Sequence, residues 1–391
     1  MKKPSILFIA HDGSMYGASK SLYNLIIHLH KNQLADCSVT CRNDGPFVSK
    51  MKDAGIPIRI VPFELWVELW CKTNLVKTFL SQPWYFLKKY YRLLLGNANL
   101  SKKIISELSG SNFDLVYSNT IVMDFGWKLS RKLKVKHLWH IRETMLDHGI
   151  KPLFPFIWRT VKRSDKILLI SEYQKKLLAL HDAVIIPNPV EEVVRIQELS
   201  NRALQRKIFE TGDPTFCIIG HITPNKGQKD AIRALGLISK AYPKARLTLV
   251  GNGSAEEIKR LKEIALNLGI QDKLTFTGFL DNTYEVLLES DASLVCSREE
   301  AFGRVTIESI ICRKPVIGFC GGATPELLGS DGSVGVLYNT VEELAEIMVR
   351  FIENPMFPQR IANKAFETIG MKYSTQASAE AVLAEINRML N

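Results

Sequence analysis

Two glutamates eight positions apart, Glu300 and Glu308, frame the run EAFGRVTIE. Carboxylates at that spacing, separated by a small Ala-Phe-Gly turn, suit the two ends of a sugar nucleotide. Ahead of the run, DASLVCS (291 to 297) is short, apolar and β-branched, the pattern of a buried strand. Behind it, Val305, Ile307, Ile310 and Ile311 begin a helix that stops near Lys314-Pro315, because proline disfavours helix at the residue before it. Gly303 then falls where strand turns into helix, and free N–H groups at a helix start favour a phosphate. Glu308 is expected about two turns into the helix on roughly the face of Glu300. One ligand then reaches both carboxylates, with its phosphates between them. The plainer alternative is a Glu300 that caps the helix and a solvated Glu308.

Other loops carry compatible chemistry. After SILFIA, the stretch HDGSMYGASKSL places Gly13 and Gly17 ahead of a helix expected near Ser19, where backbone N–H groups can approach a phosphate or an acceptor. After TFCIIG comes HITPNKG, in which Lys226 can reach a diphosphate and Gly227 opens the next helix. GNGSAE follows RLTLVG; it resembles a dinucleotide GxGxxG, but Glu256 holds the third glycine position, so no nicotinamide site is expected. WHIRE supplies His140 and Glu143 at a strand end. These suit sugar hydroxyls, and His140 can donate a hydrogen bond near a leaving group. CGGATPE (320 to 326) offers two glycines and Glu326. A plain turn, a solvated lysine and a structural histidine are the competing readings.

These loops need strands to hold them. Candidates in the first half are SILFIA (5 to 10), SVTCR (38 to 42), IRIVPF (58 to 63), DLVYS (114 to 118), VKHLWHI (135 to 141) and KILLIS (166 to 171). The second half repeats the pattern with TFCIIG (215 to 220), RLTLVG (246 to 251), LTFTG (274 to 278), ASLVCS (292 to 297), PVIGF (315 to 319) and VGVLY (334 to 338). Strands alternating with helical patterns imply parallel sheets covered on both faces. The expectation is an α/β protein of two doubly wound, Rossmann-like domains facing across a cleft, with ligands beyond the carboxyl ends of the strands. Residues 1 to 190 form the first domain, the charged, strandless span 191 to 213 a linker, and 214 to 370 the second domain. The helix in 371 to 391 is expected to pack back toward the first domain.

Composition narrows the class. A chain of 391 residues, 46% hydrophobic and 23% charged, has the length for two domains and the balance of a soluble globular protein. No apolar run reaches the ~18 residues of a membrane span. The start, MKKPSILFIAHD, reads as a first strand rather than a secretion signal. Seven cysteines without a CxxC pair predict buried thiols in a reduced, cytoplasmic setting, with no disulfide frame and no metal site.

The net charge of +11 is uneven. Residues 72 to 103 hold seven Lys or Arg and no acid, interleaved with Trp84, Tyr85, Phe86, Tyr90 and Tyr91. On a helical projection Leu80, Trp84, Leu87, Tyr91, Leu94 and Leu95 share a face flanked by Lys88, Lys89 and Arg92, the pattern of a helix in the interface of an anionic bilayer. The alternative is a stripe packed on its own domain. No nucleic-acid motif accompanies the patch.

Taken together, IGHITPNKGQKDAIRAL, LTLVGNGS, LTFTGFL, EAFGRVTIESIICRKPVIG, GGATPELL and GVLYNTVEELAEIMVRFIENP resemble, in order and spacing, the nucleotide-sugar domain of the family-four retaining glycosyltransferases of GT-B fold. The resemblance covers roughly 214 to 355 and is thinner in the first half, at YGASKSLYNL, WHIRE, LLISEYQKKLL and IIPNPV.

It implies retaining transfer of a sugar from an NDP-sugar to a glycan or lipid-linked acceptor, as in envelope or capsular polysaccharide synthesis, at the inner face of a membrane. By the same resemblance Glu308 binds the ribose hydroxyls and Glu300 the donor sugar. Phe302, Gly303 and Lys226 neutralise the diphosphate, and His140 faces the reacting sugar. Gly17, Gly220, His221, Gly251 and Arg304 complete the donor surroundings. Neither a cofactor nor a metal is implied, and no DxD triplet occurs. The chain departs from the family at Gly220-His221, where arginine usually follows the glycine, so that either another basic residue such as Arg304 compensates or donor affinity is weaker. It departs again where Tyr16 precedes Gly17. A GT-B sugar-nucleotide epimerase and a non-catalytic membrane- or nucleotide-binding protein are the rival readings.

Overall fold

A computed structural model describes residues 3–15, 17–69, 84, 87–88, 91–108, 112–144, 150–152, 157–210 and 212–391. The chain divides into two compact units, residues 1–189 with 375–391, and residues 190–374.

In the first unit, β1 (Ser5–Ala10), β2 (Asp36–Cys41), β3 (Ile58–Ile60), β5 (Leu115–Ser118), β6 (Lys136–His140), β8 (Lys166–Leu169) and β9 (Val184–Ile185) form one sheet in the order β3-β2-β1-β5-β6-β8-β9. Every pairing in it is parallel. Helices therefore have to cross over both faces, and the interior strand β1 is apolar after Ser5, with Ile6, Leu7, Phe8 and Ile9 all fully buried. Ile6 and Phe8 join one core, Leu7 and Ile9 the other, as the two-residue period of a strand requires. A separate antiparallel pair, β4 (Val67–Leu69) with β7 (Ile150–Pro152), was not expected from sequence. The helix α1 (Gly17–Lys31) follows β1 and starts two residues before the expected Ser19.

The second unit opens with α2 (Val193–Ala203), so the span read as a linker is helical and part of this unit. Its buried residues Ile196, Leu199, Ser200 and Ala203 recur at helical spacing beneath a charged surface. The strands are β10 (Thr215–Ile219), β11 (Arg246–Val250), β12 (Leu274–Gly278), β13 (Ala292–Val295), β14 (Val316–Phe319) and β15 (Val336–Tyr338). All are parallel, in the order β12-β11-β10-β13-β14-β15. The interleaved helices include α3 (Gln228–Ile238), α4 (Ala255–Asn267), α5 (Arg304–Ile311), α6 (Thr324–Leu328), α7 (Val341–Glu353) and α8 (Met356–Ala365).

The chain enters and leaves this unit side by side. Val190 N–H donates to the Tyr373 carbonyl at 2.9 Å, and Glu191 pairs with Ser374 in a parallel bridge. The last helix, α9 (Thr375–Leu390), returns to the first unit, where Ala379, Val382 and Ile386 join the core of α1 and β1. Half of the 72–103 segment lies outside the described residues. Within it Trp84, Leu87 and Lys88 are helical and exposed.

Candidate functional site

The strand order of the second unit reverses between β10 and β13, and ligands of open parallel sheets bind beyond the carboxyl ends of strands at such a switch point. The loop after β10 carries Gly220, His221 and Lys226, and the loop after β13 carries Glu300, Phe302 and Gly303. They meet: Lys226 Nζ lies 2.8 Å from Glu300 Oε2, with the side chains 19% and 16% exposed. Seventy-four residues of chain separate the two, so only the sheet order brings them together.

Asn225 ties the loops at the backbone level. Its carbonyl accepts from Arg298 N–H at 2.9 Å, and its side-chain oxygen accepts from Glu299 N–H at 3.2 Å. The loop after β14 joins through Ala323 N–H, which donates to the Glu300 carbonyl at 2.8 Å. Arg298 pairs with Asp230 and stacks 4.0 Å over the Phe319 ring. Asn225, Arg298 and Asp230 were not singled out in the sequence. Asn225 adjoins Lys226, but nothing local marks the other two.

Backbone approaches backbone closely here. A Cβ on Gly251 would lie 2.1 Å from the Gly220 carbonyl oxygen, and its φ of +137° is one that side chains rarely adopt. A Cβ on Gly322 would lie 2.3 Å from Glu300 N. The ends of β10, β11, β13 and β14 thus form a continuous floor of main chain.

Gly303, at φ +94°, is the N-cap of α5 and makes no side-chain cap, and the positive end of a helix is a setting that suits an anion. Phe302 is buried against Tyr373, with ring centroids 5.5 Å apart. Because α5 begins at Arg304, Glu308 stands just past its first turn rather than two turns in. It faces Arg304 Nη2 at 3.5 Å, and the same guanidinium donates to the Val190 carbonyl at 3.4 Å. Tyr284 donates to Glu191 Oε2 at 3.0 Å, and burial followed by the nearby Glu308 and Glu191 charges raises its hydroxyl pKa. Tyr284 and Glu191 come from helix and supposed linker, so sequence spacing did not associate them with Glu308. His221 is exposed, and its carbonyl accepts from Gln228 Nε2 at 3.2 Å.

In the first unit the order reverses between β1 and β5. Gly17, at φ +40°, stands beside that point with open space where a Cβ would be. His140, expected to face a reacting sugar, ends β6. The ring is fully buried, with Nδ1 2.5 Å from the Tyr117 hydroxyl and Nε2 3.2 Å from the Ile186 carbonyl. Burial and then the Arg142 charge hold its pKa well below the usual value. Arg142 Nε donates to Asn119 at 2.8 Å, and the guanidinium also pairs with Asn188. Glu143 is half-buried, accepting from Ile121 N–H at 3.2 Å, and burial pushes its carboxyl up to about 7.

Two parallel, doubly wound units, the second with its polar site at the switch point, define the GT-B fold of glycosyltransferases. Residues 201–368, which hold that site, match the family described as Glycosyl transferases group 1. The chain is 28% identical over 242 residues to an uncharacterized glycosyltransferase of Methanocaldococcus jannaschii, covering 52% of this chain and 59% of the relative. It is 27% identical over 187 residues to the lipopolysaccharide core biosynthesis glycosyltransferase LpsD of Rhizobium meliloti, covering 47% and 52%. The matches thus span little more than half of these relatives. Anabaena Alr3699/HepE, solved in complex with UDP, shares the fold with a TM-score of 0.73 at 20% identity, covering 98% of this chain and 100% of that one.

Proposed function

We propose that the chain is a retaining glycosyltransferase that moves a sugar from an NDP-sugar to a glycan or lipid-linked acceptor in envelope or capsular polysaccharide synthesis. The observation that carries the reading is the Lys226–Glu300 pair over a main-chain floor at the switch point. Departure of a nucleoside diphosphate develops negative charge, which a lysine and uncapped helix-start amides stabilise without a metal ion. The incoming diphosphate competes with Glu300 for the ammonium. The carboxylate released then accepts from donor-sugar hydroxyls, and Glu308 accepts from the ribose. Gly220, His221, Gly251, Phe302 and Arg304 line the donor, and Gly17 adjoins the acceptor side.

The test is a thermal-shift screen with UDP-, GDP-, ADP- and dTDP-sugars, in which a ligand at about 100 times its Kd stabilises by roughly 2.7 kcal/mol. No shift with any of them sinks the reading. Donor consumption without acceptor, yielding an epimerised sugar nucleotide, points to an epimerase instead.

The same proposal places the protein on the cytoplasmic face of an anionic membrane. Trp84 is 81% and Tyr91 64% exposed, with Leu87 and Leu95 also exposed and Lys88 and Arg92 alongside. Apolar side chains flanked by cations suit a lipid interface. Among the described residues no helix is long and apolar enough to cross a membrane.

A further inference from the structure

Arg304 occupies the first helical position of α5, one turn ahead of Glu308. For the helix itself it is a poor choice. A cation at a helix start opposes the macrodipole, and a cation that precedes its carboxylate by four residues is the weaker order of such a pair. The value of Arg304 therefore lies in what its guanidinium touches.

Two contacts define it. Nη2 lies 3.5 Å from Glu308 Oε1 and 3.4 Å from the Val190 carbonyl oxygen. Val190 is anchored main chain: its N–H donates to the Tyr373 carbonyl at 2.9 Å, and the Tyr373 ring packs against Phe302, two residues before Arg304. The Glu308 side chain is only 13% exposed, so its charge needs a partner, and Arg304 supplies one. A carboxylate has about four acceptor sites, so a single contact leaves capacity for two ribose hydroxyls.

A second acid stands close by. Glu191 Oε2 accepts from the Tyr284 hydroxyl at 3.0 Å, and the charges of both glutamates act on that hydroxyl. Tyr284 thus occupies Glu191 while Arg304 takes Glu308.

We propose that Arg304 is a positioning residue: held by the Val190 carbonyl, it turns Glu308 toward the ribose of a nucleoside diphosphate and, through that carboxylate, sets a preference for ribose over 2′-deoxyribose. The inference rests on the donor reading above, in which Glu308 accepts from the ribose. A cation that only neutralised the diphosphate would leave the choice of sugar ring alone.

The test is isothermal titration of the full chain with UDP, GDP and ADP, each against its 2′-deoxy counterpart. The unaltered chain is expected to bind a ribonucleotide roughly 10- to 150-fold more tightly than the deoxy form, the scale of a hydrogen bond to a charged acceptor. Arg304→Gln brings that ratio to within about threefold of unity although Glu308 is still present. Arg304→Lys, gentler on folding, keeps the charge without the planar fork and gives an intermediate ratio. In a Glu308→Ala chain the ratio is already lost and Arg304→Gln shifts it no further, the mark of one residue acting through another.

A ratio equal to that of the unaltered chain in both Arg304 variants overturns the inference. So does an equal loss of affinity for both forms of a nucleotide, or an unaltered chain that binds the deoxy form as tightly. Failure to bind any of the nucleotides is a different result: it removes the donor reading, and this inference with it.

Discussion

Lys226 and Glu300 form an ion pair of 2.8 Å, with each side chain largely shielded from solvent. The lysine is thereby aimed at the one place in the second unit where three strand-end loops and an uncapped helix start converge. Lys226→Ala is expected to lower kcat/KM for sugar transfer by about 100- to 1000-fold, the scale seen when one donor to a developing anion is lost. Circular dichroism melting distinguishes this from unfolding. Full activity in a folded variant removes the lysine from the mechanism.

Glu308 tests the other end of the ligand. Replacing it by alanine removes hydrogen bonds from a charged acceptor, worth about 1.5 to 3 kcal/mol, so donor KM is expected to rise roughly 10- to 150-fold. An unchanged KM shows that the carboxylate does not touch the donor.

The main-chain floor gives a sharper prediction. Gly251→Ala sets a Cβ 2.1 Å from the Gly220 carbonyl oxygen at a φ unsuited to side chains. Overpacking of this kind costs about 1 to 3 kcal/mol. The variant melts lower and binds donor more weakly, whereas Gly17→Ala meets open space at its Cβ and carries only the backbone strain of φ +40°, so its melting point falls less.

Acid should unfold the protein early. Burial lowers His137 to about 3 and His11 to about 4, and holds His140 well below 6.5. His137 is clamped between the Ser118 and Ser164 hydroxyls at 2.9 and 2.7 Å. These groups are depressed in the folded state, so below pH 6.5 the unfolded chain binds protons that the folded chain does not. Their stabilisation is complete above pH 6.5 and is lost as pH falls toward 3. Each contributes a slope of up to about 1.4 kcal/mol per pH unit. Glu143, raised to about 7, works the other way between pH 4.5 and 7, but one carboxyl does not offset three histidines. Urea denaturation at pH 7 and pH 5 is expected to show a clear loss of stability, and His137→Gln should reduce the slope.

Flotation with anionic liposomes checks the membrane surface. Neutralising Lys88, Lys89 and Arg92 together is expected to reduce recovery in the lipid fraction, and high salt should do the same. Recovery unaffected by the triple change removes these residues from membrane contact.

The strands were readable because parallel sheets bury both faces, and runs such as TFCIIG and SILFIA have no other home. Each of the twelve expected segments overlaps a strand. Misread elements had other causes. In α2, Ile196, Leu199, Ser200 and Ala203 make a helical stripe, but the surrounding charges hid it. The two-residue β9 and the antiparallel β4–β7 pair depend on partners distant in sequence. At the candidate site, Lys226 and the two glutamates were legible from loop position. The Tyr284–Glu191 bond spans 93 residues and was not. His140 shows a further reason: a strand-end position does not say whether a side chain opens outward or, as here, is sealed beneath Arg142.

The pairing of Val190 with Tyr373 and of Glu191 with Ser374 makes residues 190–374 a cassette whose two ends are neighbours. The whole second unit can be exchanged at a single seam, with the host keeping its own closing helix, Thr375–Leu390. On the proposed function, grafting at that seam is expected to carry donor preference across as one piece of chain and to leave acceptor choice with the first unit.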